Sequence, residues 1–403
     1  DDDRLPDLAV GRLTADSPDE LAAMIRKIQA YETSVDFGRW RSQLHFVAGM
    51  GGFGPLADAA LEAAAKTLIS HSVPAAFDVS MTYASFQSPY CPDPRRFRSV
   101  AVERFNEGSL FWVYLGHGDQ RALDPVRVPG RLYPSFSTRD APRLDCRHGA
   151  PVACFLACYT GAFDQPQDCL AEELLRQPGG PVAVVCGTRM TMPYAMTVMG
   201  SELLDECFAG RHQLLGQLLL AAKRRTMEPA RAESPRAAIE SAAKALGLGG
   251  ADLEAERAEH LDLFQLLGDP LLRLPLPRHV ELEVPPAVIA GRRLAVRGDS
   301  AVAGMATVEL VVRRGRQTAP SPRRMPFDSD RLAEYDEVYK QANEPRLASA
   351  RLEVPKGRFD LELVVPDGAR GACHVRAFVE GRDDCAVGAA ALRIETPDLP
   401  AAR

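Results

Sequence analysis

The chain lacks the features that would place it in several common classes. No run approaches the ~18 consecutive apolar residues that a membrane-spanning helix needs. The first residues, Asp1-Asp-Asp-Arg4, have no apolar core of the kind found in a signal peptide. There is no excess of basic residues: the formal net charge is −6 at pH 7, which argues against nucleic acid as the main partner. The glycine-rich stretch Gly49–Gly54 lacks both the Gly-Lys-Ser/Thr ending of a phosphate loop and the spacing of a dinucleotide fingerprint, so it reads as a tight turn. Cys154 and Cys158 have no second cysteine pair at suitable spacing, which leaves no zinc motif. Internal repeats and low-complexity tracts are also missing.

What remains is an ordinary globular composition, 46% apolar and 25% charged over 403 residues, enough for two or three domains. Nine cysteines make an odd number, so at least one thiol is unpaired if all bridges are internal. Cys154, Cys158 and Cys186 fall in or at the ends of predicted buried strands, which suits thiols better than a disulfide framework. Cys373 and Cys385 are candidates to pair across a later β region.

Helices are predicted over 18–31, where Ser17, Pro18 and Glu20 make a capping box, and at about 56–70, 168–177, 194–209, 212–227, 235–247 and 251–265. Strands are predicted over 43–48, 75–81, 110–115, 151–157 and 181–187. Such alternation predicts an α/β fold with a largely parallel sheet covered on both faces. After Pro277 the pattern changes to period-two runs such as Val280–Val284, Thr307–Val312, Arg358–Val365 and His374–Val379, which predicts an all-β sandwich with a helical insertion over about 329–343.

Two apolar runs end in reactive residues: Leu110–Leu115 leads into Gly116-His117-Gly118, and Pro151–Ala157 leads into Cys158-Tyr-Thr-Gly161. Ligands of open α/β sheets sit beyond the carboxyl ends of the strands. Adjacent strands would bring His117 beside Cys158, and an imidazole beside a thiol makes a nucleophilic thiolate. The bland alternative is a buried core cysteine and a structural histidine; Cys154 suits that role. Gly118 leaves a backbone N–H open, which with the Cys158 N–H can hold an oxyanion.

The pieces Leu115-Gly-His117-Gly118, Ala157-Cys158-Tyr-Thr-Gly161-Ala-Phe163 and Cys169–Leu175, with Pro6–Arg12 and Leu267-Gly-Asp-Pro270 as flanks, resemble the gingipain family of cysteine peptidases. The resemblance covers roughly residues 5–275. It implies a caspase-like three-layer catalytic domain over 40–277 and an immunoglobulin-like β-sandwich over 278–396. Residues 1–39 would be the end of a mostly missing N-terminal α/β subdomain, and 397–403 a tail. It also implies a Cys158/His117 dyad that cleaves a protein or peptide substrate, no redox or nucleotide cofactor, and a secreted or cell-surface location. Structural calcium occurs in the family, but no calcium loop is visible here. The acid that the family carries near the dyad would fall at Gly51 or Gly52 and looks missing. Asp58 is the nearest counterpart of the aspartate that pairs with a substrate arginine; a helix-start aspartate is the plain alternative. Tyr194 matches the aromatic ring over the substrate pocket, with a packing tyrosine as alternative, and Met190 and Met192 are candidate pocket residues. Cleavage after Arg or Lys follows from that resemblance. The rival readings are a non-catalytic binding or surface module and a thiol transpeptidase on the same fold.

Overall fold

The computed structural model describes residues 5–50, 66, 69–230, 235–246, 252–314 and 327–396. The first layer system holds β1 (Gln43–Ala48), β2 (Asp78–Tyr83), β3 (Phe111–Leu115), a small hairpin of β4 (Val126–Val128) and β5 (Arg131–Tyr133), β6 (Val152–Leu156), β7 (Ala183–Gly187) and β8 (Phe264–Leu267). The main sheet runs β2-β1-β3-β6-β7-β8. Its pairs are parallel except for β7 with β8. A strand apolar at every position must be covered on both sides. In β3, Phe111 and Val113 pack into one core with Leu203, Leu215 and Leu218, while Trp112 and Tyr114 pack into the other with Phe97, Phe105 and Leu170. Helices 193–205 and 215–227 thus cover one face, and helices 97–106 and 170–176 the other.

The segment expected to close a preceding subdomain packs on this same body. Arg12 exchanges backbone hydrogen bonds with Leu266 (3.0 Å) and Gly268 (2.8 Å), and Met24 and Ile28 of helix 18–32 enter the two cores. Ser17 caps that helix on the Glu20 N–H, and Glu20 reaches back to the Asp16 N–H. The predicted helix over 251–265 stops at Leu263, and Phe264–Leu267 is an edge strand instead.

The remaining strands are β9 (Arg278–Glu283), β10 (Ala287–Ile289), β11 (Arg293–Ser300), β12 (Gly304–Val312), β13 (Arg346–Val354), β14 (Gly357–Val364), β15 (Gly371–Gly381) and β16 (Cys385–Glu395). They form a separate, nearly closed β domain. Strand β9 joins its halves: Arg278 and His279 pair with β16, and Val280–Glu283 pair with β11. Val280, Val296, Val308, Phe359 and Val375 fill the space between. All nine cysteines are free thiols. The suggested Cys373–Cys385 bridge is excluded by register: Cys385 pairs opposite Glu380, seven residues along β15 from Cys373. That separation is roughly 20 Å, several times what a disulfide spans. No helix among the described residues is long and apolar enough to cross a membrane.

Candidate active site

Leu115 pairs with Leu156 in the β3–β6 register. His117 and Cys158 each follow two residues later, just past the ends of these neighbouring strands. Both line one cavity of about 1100 Å³ beyond the carboxyl ends of the strands.

Each turn is held by glycine and by fixed hydrogen bonds. Gly116 has φ +150, and a Cβ there would come within 3.0 Å of the Gly49 backbone. The Gly116 N–H donates to the Leu156 carbonyl (3.2 Å), and the Tyr114 hydroxyl donates to the His117 carbonyl (2.7 Å). Gly118 lies against the second turn, where a Cβ would stand 2.8 Å from the Cys158 carbonyl oxygen. Gly118 bridges Leu123, but the flanking hydrogen bonds are made by Asp119 and Asp124, so this antiparallel bridge leaves the Gly118 N–H unused.

Cys158 is followed by Tyr159 at φ 55, a left-handed conformation that costs a non-glycine residue about 1 kcal/mol or more. Strapping to the end of β7 and to the segment after it holds it there. The Tyr159 N–H donates to the Arg189 carbonyl (3.1 Å) and the Gly161 N–H to the Gly187 carbonyl (2.9 Å). The result is a sharp turn that leaves the Cys158 side chain half-buried. Cys154, by contrast, is fully buried, and burial pushes its thiol up to about 12.

Thr191 contacts the Cys158 sulfur three ways: its N–H at 3.3 Å, its hydroxyl at 3.5 Å and its carbonyl at 3.5 Å. The next residue, Met192, donates its N–H to His260 Nε2 at 2.7 Å, while His260 Nδ1 bonds the Glu256 carbonyl at 2.7 Å. Met192, with Met190 and Met196, lines the cavity. Neither Thr191 nor His260 was singled out from the sequence; His260 is four residues after Glu256 on a helix, and nothing in that spacing points to a strand loop 68 residues earlier.

Tyr194 is corrected. It is 2% exposed, packs with Val198, Ile239 and Ala243, and its hydroxyl bonds Glu240 and Arg257. It is absent from the cavity wall. A ring at the second position of helix 193–205 turns inward because that helix buries its first turn. Asp58, with Gly51 and Gly52, lies outside the described residues. Among the described residues no group of three or more His, Cys, Asp or Glu side chains is placed to hold a metal ion.

The model of Peptidase family C25 matches residues 1–275. No curated protein sequence matches the chain. Among solved structures, the chain is similar to the Arg-specific cysteine proteinase gingipain R (RgpB), at 16% identity and a TM-score of 0.50, over 98% of this chain and 77% of that one. It is also similar to the complex of Porphyromonas gingivalis RgpB pro- and mature domains, at 15% identity and a TM-score of 0.49, over 98% and 78% of the two chains. The chain belongs to peptidase family C25 and is a cysteine-type peptidase, a hydrolase.

Proposed function

We propose that the chain is a cysteine endopeptidase whose nucleophile is Cys158 and whose base is His117. The observation that supports this reading is that both residues line one cavity, each two positions past the last β3–β6 pair, Leu115 with Leu156. His117 accepts the thiol proton, and the thiolate attacks the scissile carbonyl. The N–H groups of Gly118 and Cys158 receive the oxyanion. The imidazolium then protonates the leaving amine, and water attacks the acyl-enzyme with His117 again as base. The likeness to gingipains also supports a secreted or cell-surface location.

Cleavage after Arg or Lys is the specificity that this likeness suggests, with Asp58 as the pocket anion. The cavity wall favours a second reading. Its described carboxylates are Asp78 and Glu344, and each already pairs with arginine: Asp78 with Arg376 at 3.0 Å, Glu344 with Arg346 at 2.8 Å. Beside Cys158 stand Met190, Met192 and Met196, a soft apolar lining that suits an apolar substrate side chain.

The test is hydrolysis of a peptide panel that varies only the residue before the cut, by wild type, Cys158→Ala and His117→Ala. We expect both variants to lose at least about 1000-fold in kcat/KM while keeping the wild-type circular dichroism. Full activity of Cys158→Ala would refute the dyad. Aminolysis products with a competing amine would mark a transpeptidase, and binding of peptide without cleavage by wild type would mark a non-catalytic module. An Arg preference lost in Asp58→Ala supports the basic pocket; a preference for Met or Leu supports the apolar one.

A further inference from the structure

We infer that Thr191 is a further catalytic residue, whose N–H and hydroxyl hold the Cys158 sulfur as a thiolate, and that His260 is the positioning residue that keeps it there. The inference rests on the Cys158 nucleophile proposed above.

Three polar atoms of Thr191 reach the sulfur. The carbonyl can accept only from a thiol, whereas the N–H and hydroxyl both donate to a thiolate and outnumber it. Hydrogen bonds to the charged form favour that form. The hydroxyl also lies 2.9 Å from the Met196 sulfur, so it has two soft acceptors, and the negative one is the stronger. Thr191 is 4% exposed, so water does not compete at this side of the sulfur.

Thr191 sits on the loop between β7 and helix 193–205, and the loop is pinned at both sides of it. The Thr188 N–H and hydroxyl donate to the Leu263 carbonyl at 2.9 and 3.0 Å. After it, the Met192 N–H donates to His260 Nε2, and the Ala195 N–H donates to Glu256 Oε1 at 3.1 Å. Helix 253–263 therefore carries the loop that touches the nucleophile. His260 is fully buried, and its two bonds specify one neutral tautomer, with Nδ1 protonated toward Glu256 and Nε2 free to accept. Burial outweighs the opposing pull of the Glu256 carbonyl and of the Glu256 and Glu259 charges, so its pKa is held below the usual histidine value and Nε2 stays an acceptor.

The experiment is the pH profile of iodoacetamide labelling at Cys158, read by mass spectrometry of its peptide, with kcat, KM and melting temperature measured alongside. Thr191→Val should move the labelling midpoint up by about half a unit or more, and Thr191→Ser should restore it. His260→Leu removes the acceptor and should lower kcat about tenfold at near-constant KM. His260→Gln places an amide oxygen where Nε2 was and should recover most of that loss. Equal labelling profiles in wild type and Thr191→Val would overturn the role of Thr191. His260→Gln falling as far as His260→Leu, at matched melting temperature, would overturn the role of His260. If wild-type Cys158 labels no faster than an ordinary exposed thiol, the dyad itself fails, and that outcome is visible before any variant is compared.

Discussion

His45 shows how one buried side chain writes a pH dependence into the fold. It lies in β1 at 4% exposure, its Nδ1 is 2.6 Å from the Ser80 hydroxyl, and its Nε2 makes no hydrogen bond. Burial, then the charge of Arg104, lowers its pKa from 6.5 to about 4. The unfolded chain binds this proton more readily than the folded one, so stability falls as pH drops from 6.5 toward 4. The full loss is about 3 kcal/mol, on the scale of 1.36 kcal/mol per unit. Urea unfolding at pH 7 and pH 4.5 should show that His45→Asn flattens this limb; an unchanged difference would remove His45 from it. At the site, the residue scale was legible where chemistry and glycine coincide. His117-Gly118 and Cys158 with Gly161 announce themselves, because a reactive side chain beside a small residue at a strand end has few structural uses. Tyr194 was misread for a physical reason: an aromatic ring at a helix start suits a pocket or a core equally, and only its partners, the half-buried Glu240 and the buried Arg257, decide.

Elements were legible when their apolar period was strong. The runs of β3, β6 and β7 are buried at almost every position, as continuous apolar strands require. Strand β8 was absorbed into the preceding helix because Leu261–Leu267 carries apolar residues compatible with either period; pairing with β7 settles it. The helical insertion was visible, but not its use. Helix 334–342 and Asn343 close the outer edge of the main sheet. The Asn343 amide accepts from the Met81 N–H at 2.8 Å and donates to the Met81 carbonyl at 3.0 Å, and the Tyr339 hydroxyl bonds Thr82 at 2.9 Å. A side-chain amide thus completes the ladder of β2, whose edge would otherwise be open. Asn343→Ala should cost about 2 kcal/mol, two bonds to half-buried backbone groups, and should raise hydrogen exchange at the Met81 amide. Unchanged exchange there would show that the edge is protected by other means.

At the scale of the molecule, the two domains share a charge cluster and part of a core. Arg376 of β15 reaches Asp78 at 3.0 Å and Glu309 at 2.8 Å, and Arg39 holds Glu309 through two bonds of 3.0 and 3.2 Å. Phe378, Cys385 and Val387 of the β domain are buried in the core beneath the main sheet. No sequence pattern brings these charges together, since Arg39, Asp78, Glu309 and Arg376 lie in four separate elements. Burial alone would raise the Glu309 pKa; the bonds and charges of Arg39 and Arg376 outweigh it and hold the carboxyl below its ordinary value. Its contribution is therefore present above the ordinary carboxylate pKa and is lost as pH falls through the lowered one. Glu309 is 2% exposed and faces Arg39, Arg346 and Arg376, so removing its charge leaves three guanidinium groups with Asp78 as the remaining carboxylate of the cluster near the interface. Glu309→Gln should cost about 3 kcal/mol, the scale for breaking one side of a buried pair. Because the cluster joins the domains, calorimetry should show one transition in the wild type and a split or broadened one in the variant. A single transition at the wild-type temperature would mean that the shared apolar contacts alone couple the domains.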